Sequence, residues 1–164
     1  MKTISYIILI LLLSTTLSLS SASAQKVQYI RVPDLEKILK NPENKLFVLN
    51  LWATWCPPCV KEMPAFEKTA AQYGTENVRF VMVSLDFPSQ VEKQLIPFLK
   101  KNNITLDVAV MMDTDYDSWI SKVDEKWQGN IPATLFFNNH RQTRYFHTGE
   151  LTESELKTLI SKYL

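Results

Sequence analysis

Cys56 and Cys59 are the only two cysteines of this 164-residue chain, and they stand two residues apart in Trp55-Cys56-Pro57-Pro58-Cys59. A dithiol at that spacing can close into a disulfide without unfolding anything, so the pair is a two-electron donor or acceptor in need of a partner. A continuous apolar run at 46–52 leads into it, and an amphipathic segment without glycine until Gly74 follows. The pattern predicts a strand, a turn carrying Cys56, and then a helix. In that geometry the unpaired N–H groups and the dipole of the helix N-terminus stabilise negative charge on Cys56. Such settings lower a cysteine pKa from about 8.5 towards roughly 3.5 to 7.5, which makes Cys56 the expected thiolate and leaves Cys59 as the resolving thiol. Pro57 and Pro58 suit a helix start, where the missing N–H would be unpaired anyway, and they stiffen the loop between the sulfurs.

Two other uses of a cysteine pair fit less well. A structural staple usually closes a long loop, whereas a bridge across two residues removes little chain entropy and stabilises weakly. A zinc site needs four ligands, and the other soft candidates, His140 and His147, lie far along the chain at seven-residue spacing, so no metal site is expected.

The chain's start bounds its location. Residues 1–24 carry one lysine, Lys2, then an almost wholly apolar run at 4–13 and a serine-rich stretch ending Ala22-Ser23-Ala24. This reads as a secretory signal peptide cleaved before Gln25, with retention as a membrane anchor as the alternative. Lys2 is the only charged residue before Gln25, so of 18 basic and 17 acidic residues, 17 of each remain at 25–164. That neutral balance gives no reason to expect a nucleic-acid partner. Export places the thiols where disulfides persist.

Along 25–164 the elements alternate. Strands are predicted at 27–32, 46–52, 78–85, 108–112, 133–137 and 143–147, with helices near 33–39, from the cysteines to about Tyr73, at 91–101, and at 116–127. Pro64 and Pro97 fall inside two of these helices. The acidic stretch 113–117 lacks the glycine and closing glutamate of an EF-hand loop and reads as a solvated helix entry. Thr152 and Glu155 form a capping box for a last helix whose inner face is Leu156, Leu159 and Ile160. The order is that of one α/β domain at 25–164, a thioredoxin fold with a central mixed sheet flanked by helices and an inserted α/β section before residue 132.

Leu51-Trp52-Ala53-Thr54-Trp55-Cys56-Pro57-Pro58-Cys59-Val60-Lys61-Glu62-Met63-Pro64 closely resembles the active-site segment of the TlpA-like, ResA-like thiol-disulfide oxidoreductases of the thioredoxin superfamily. Gly129-Asn130-Ile131-Pro132-Ala133-Thr134 is similar to the superfamily's cis-proline loop, and Gly149 with the capped helix to its C-terminal segment. The resemblance covers about 45–164. It implies that Cys56 forms the mixed disulfide and Cys59 resolves it. Pro132 would be in cis beside the sulfurs, with the Ile131–Pro132 unit against the substrate chain. Trp55, Pro57 and Pro58 would line the same site. Glu62 matches a glutamate that relatives keep near the cysteines, where a carboxylate influences thiol ionisation and passes protons; a carboxylate placed early in a helix for the dipole alone is the other reading.

The sequence also departs from the pattern. Asn50 stands where thioredoxin has a buried acid, which leaves Glu62 or water to move protons. The intervening dipeptide is Pro-Pro rather than Gly-Pro, and because it helps set the potential, the resemblance leaves the direction of electron flow open. The resemblance implies an enzyme without a cofactor that reduces disulfides of exported client proteins and is re-reduced by a membrane-bound electron donor. A disulfide oxidase or isomerase and, in another class, a thioredoxin-fold copper carrier are the alternatives. A peroxidase fits less well, since Leu49 and Ala53 occupy the positions of the proline and threonine that peroxiredoxins place before their cysteine.

Overall fold

The computed structural model describes residues 27–164, so the leader expected at 1–24 lies outside the described residues. The elements follow in the order β1 (Gln28–Ile30), α1 (Val32–Leu39), β2 (Leu46–Trp52), α2 (Pro57–Tyr73), β3 (Val78–Ser84), α3 (Ile96–Lys101), β4 (Val108–Met111), α4 (Ile120–Val123), β5 (Ala133–Asn138), β6 (Thr143–Thr148) and α5 (Glu153–Tyr163). They build one six-stranded mixed sheet in the order β1-β4-β3-β2-β5-β6. The pairs β1–β4, β4–β3 and β3–β2 are parallel, and β2–β5 and β5–β6 are antiparallel. The inserted α/β section contributes β4, which lies between β1 and β3.

β2 takes the centre because every one of its seven side chains is buried. Alternation sorts them between two cores. Leu46, Val48 and Trp52 face the core that holds both cysteines, Met63 and Phe66 of α2, and Leu156 and Ile160 of α5. Phe47, Leu49 and Leu51 face the opposite core, with Leu35 and Leu39 of α1 and the indoles of Trp119 and Trp127. Asn50 has the parity of Trp52, and Thr134, its register partner on β5, has the parity of Phe136. Both polar side chains are thereby directed to the face on which α2 lies.

Two helices differ from expectation. The one predicted at 91–101 opens with a wide turn, Val91–Leu95, in which the N–H of Ile96 donates to the carbonyl of Val91, and only then becomes α3. Pro97 has no N–H and its ring crowds the carbonyl four residues back, so the chain widens before it. The helix predicted at 116–127 is a 3₁₀ turn, Tyr116–Ser118, followed by the short α4, which ends where Asp124 turns extended. Here tertiary packing overrides helical periodicity: Trp119 and Trp127 pack in a tilted arrangement with ring centres 5.8 Å apart, and their ring N–H groups donate to the carbonyls of Asp113 and Asn130. Asp113 is not a solvated helix entry either, because its carboxylate accepts from the Val32 N–H at 2.8 Å and pairs with Arg31, closing the start of α1. The capping box of α5 forms as predicted, and Leu159 packs against the α2-side core beside Leu156 and Ile160.

Candidate active site

The turn after β2 delivers the first cysteine to the start of α2. Its N–H donates to the carbonyl of Ala53 at 3.2 Å, and Cys56 itself caps the helix in an extended conformation, with Pro57 and Pro58 as the first two helical residues. Prolines cost nothing there, since the first N–H groups of a helix lack intrahelical acceptors. Cys56 and Cys59 are joined as a disulfide, with Cα atoms 5.3 Å apart. The N–H of Cys59 points at the Cys56 sulfur at 3.3 Å. A thiolate on Cys56 would accept that N–H and face the positive end of α2, two effects that favour its ionised form. Accessibility separates the two residues in the same sense: Cys56 retains 5 % exposure and Cys59 none.

One turn beyond Cys59 on the same helix, Glu62 is buried. One of its oxygens accepts from the Asn50 amide at 2.8 Å and the other from the N–H of Leu151 at 2.9 Å. The same Asn50 amide nitrogen donates to the Thr134 hydroxyl at 3.0 Å. Burial pushes the Glu62 carboxyl up to about 7; the two N–H donors pull the other way without overcoming it, and the nearby charge of Glu150 adds to the rise. A group at that value exchanges its proton near neutral pH. The polar set thus ties α2, β2, β5 and the segment before α5 together around one acid.

The other expected site residues fall around the same end of the sheet. The Ile131–Pro132 peptide bond is cis, Pro132 is buried, and its carbonyl accepts from the N–H of Gly149 at 2.9 Å. Ile131 is half-buried and packs against the core containing Cys56. Trp55, Pro57 and Pro58 are exposed.

Sequence reasoning missed Asp86. It is 1 % exposed, follows β3 by two residues, and accepts from the Thr54 N–H at 3.1 Å, from the Thr54 hydroxyl, and from the Ser84 hydroxyl at 2.7 Å. Its carboxylate therefore clamps the loop that carries Cys56 to the end of the neighbouring strand. The available signal was an acid directly after an apolar strand predicted to lie inside a parallel sheet, where a carboxylate needs donors from a neighbouring loop.

A disulfide-forming pair at the N-terminus of the helix that follows the central strand of a thioredoxin-type sheet defines a thioredoxin-like redox protein. The AhpC/TSA family model matches residues 21–146, and the chain belongs to that family. Among curated proteins it is 29 % identical over 139 residues to the thiol-disulfide oxidoreductase ResA of Halalkalibacterium halodurans, covering 83 % of this chain and 73 % of that one. It is 27 % identical over 110 residues to the sporulation thiol-disulfide oxidoreductase A of Bacillus subtilis, covering 67 % of this chain and 63 % of the relative. Among solved structures, a thioredoxin-related protein from Neisseria meningitidis serogroup B superposes with a TM-score of 0.65 at 26 % identity, over 76 % of this chain and 88 % of that one.

Proposed function

We propose that this chain is an exported thiol-disulfide oxidoreductase that reduces disulfides of exported client proteins through Cys56 and Cys59. In the reduced protein the Cys56 thiolate attacks one sulfur of a client disulfide. A Cys56–client bond forms, and the other client sulfur leaves as a thiolate. Cys59 then loses its proton and attacks the Cys56 sulfur, which closes the Cys56–Cys59 bond and expels the second client thiolate. Two electrons pass to the client, and two protons are taken up by its sulfurs. Glu62, at about 7, accepts the Cys59 proton in this scheme. A membrane-bound donor of two electrons returns the pair to the dithiol. Ile131 and Pro132 receive the client backbone beside the sulfurs, and Trp55, Pro57 and Pro58 line the approach.

The observation that carries this reading is the placement of Cys56 as the cap of α2, with the Cys59 N–H aimed at its sulfur. The deciding experiment is equilibration of the Cys56–Cys59 couple with glutathione or dithiothreitol buffers. A reductant should titrate near the thioredoxin value of about −270 mV. A midpoint near −120 mV, the range of a strong oxidant, would reverse the assigned direction of electron flow.

A further inference from the structure

Three consecutive residues between β6 and the cap of α5 each hold a different part of the redox site. The Gly149 N–H donates to the Pro132 carbonyl at 2.9 Å, and the Leu151 N–H donates to Glu62 at 2.9 Å. Gly149 makes the turn at φ 103°, in the left-handed region where a side chain is strained. Glu150 lies between these two anchors, so its backbone is fixed on both sides. Its side chain reaches back to α2, where Lys61, the chain neighbour of Glu62, meets it with Nζ 2.7 Å from Oε1 and 3.1 Å from Oε2. The buried bond Glu62–Leu151 and the outer pair Lys61–Glu150 therefore join the same two stretches of chain, one link inside the other. Their exposures differ: the Lys61 side chain is 74 % exposed and that of Glu150 29 %. The anion is the sheltered member of the pair and the cation the solvated one.

The other groups around Glu62 leave Glu150 as the charge that acts on it. β2 and β5 turn Asn50 and Thr134 towards the acid, and neither titrates; His147 lies one strand further, opposite Thr134. At the start of α5, Glu153 pairs with Lys157 and Lys68, and Glu155 is taken up by the Thr152 cap. α2 itself contributes Cys59, which is bridged, and Lys61. Among the described residues, Glu150 is the charge that adds to the upward push of burial on Glu62. A like charge beside a carboxyl disfavours its ionised form. We propose that Glu150 is a positioning residue for the redox reaction: its carboxylate, held by Lys61, makes Glu62 keep its proton to higher pH and so sets the pH at which Glu62 can take the proton of Cys59. This rests on the proton-accepting role given to Glu62 above and adds the pair that adjusts it.

The oxidised protein isolates the effect, because bridged cysteines do not titrate. Carbon NMR of the Glu62 carboxyl, followed against pH, reads its protonation directly. In Glu150→Gln, which keeps the shape and removes the charge, the midpoint should fall by about half to one pH unit, the range of a partly screened neighbouring charge. Lys61→Gln, which leaves Glu150 without its cation, should raise the midpoint by about 0.3 unit, and Lys61→Arg should restore it. In about 1 M salt the difference between wild type and Glu150→Gln should shrink to less than half. Lys68→Gln loosens the other ion pair between α2 and the start of α5, and it should leave the midpoint in place. With the reduced protein and a short disulfide-bridged peptide, the pH at which closure of the Cys56–Cys59 bond reaches half its maximal rate should move in the same direction as the midpoint in each variant. A Glu62 midpoint within about 0.1 unit of wild type in Glu150→Gln, or one that falls in Lys61→Gln, would overturn the proposal. An equal shift in Lys68→Gln, or a closure profile that stays put while the midpoint moves, would do so too. Failure of the wild type to reduce the peptide at any pH is a different result: it would remove the redox reading, while the midpoint in the oxidised protein would still decide whether Glu150 acts on Glu62.

Discussion

Replacing Glu62 by glutamine keeps the shape of the side chain and removes its proton, and the structure sets both the direction and the size of the effect. Folded, the carboxyl titrates near 7 rather than at its ordinary 4.5, chiefly because burial disfavours the carboxylate. The folded state is therefore the proton-richer state between those two values. The stability contributed by this group is fully present below about 4.5 and is lost as pH rises through about 7. At about 1.4 kcal/mol per pH unit, the loss amounts to about 3 kcal/mol. An amide at this position does not titrate. The unfolding free energy of Glu62→Gln, relative to wild type, should therefore rise by about 3 kcal/mol between pH 4 and pH 8. The new amide can be accommodated: its oxygen accepts from Leu151, and a half-turn of the Asn50 side chain presents Asn50 Oδ1, which has no partner among the described residues, to the new N–H₂. The Thr134 hydroxyl then donates to that same oxygen.

The assay is urea unfolding of the oxidised protein, followed by tryptophan fluorescence at several pH values for both forms. Parallel stability profiles would refute the reasoning, since a buried acid near 7 cannot be silent over that range. A second readout addresses the chemistry. Removing a negative charge one turn from Cys59 should lower the apparent pKa of at least one thiol, the two titrating as a coupled pair. Alkylation rates of the reduced dithiol that superimpose across pH in wild type and Glu62→Gln would leave Glu62 a structural acid only.

Two further outcomes follow from the geometry. Cys59→Ala should accumulate covalent client complexes through the remaining Cys56 and Cys56→Ala should not, as read on non-reducing gels; equal trapping by both would reverse or dissolve the assignment of roles. Asp86→Ala strands the N–H and hydroxyl of Thr54 and the hydroxyl of Ser84 without their acceptor, and should cost about 2 to 4 kcal/mol in urea unfolding; a loss under about 0.5 kcal/mol would mean that the cost of burying the carboxylate had already cancelled its bonds.

The features visible in the sequence were those governed by local chemistry. The cysteine spacing, the apolar strand before it and the proline start of α2 fixed the sulfur geometry, and Thr152 with Glu155 marked the entry to α5, because each depends only on residues a few positions apart. What pattern alone did not reveal depended on register. Thr134 meets Glu62's partner because Asn50 and Thr134 are directly opposed across β2 and β5, 84 positions apart in the chain. Asp86 reaches Thr54 because β3 pairs in parallel with β2 and ends level with it. No periodicity encodes either pairing. The segment 116–127 failed for the opposite reason: its helical spacing of aromatics was real, but two indoles that must both enter one core broke the helix to do so.

Placing the acid on the helix rather than on the strand has a mechanical consequence. The side chain at position 50 reaches α2 and β5, whereas Glu62 holds, besides Asn50, the N–H of Leu151, the residue just before the Thr152 cap of α5. When Glu62 is charged, both of its oxygens accept. When it carries a proton, one oxygen also becomes a donor, and that O–H needs an acceptor facing it. The backbone N–H of Leu151 is fixed by the chain, while the Asn50 amide has an idle oxygen and can rotate, so the adjustment falls on Asn50 and passes to the Thr134 hydroxyl. Thr134 lies two residues from Pro132. Proton uptake by the buried acid is thereby registered in the strand that begins beside the cis-proline loop, while the docking of α5 is left undisturbed.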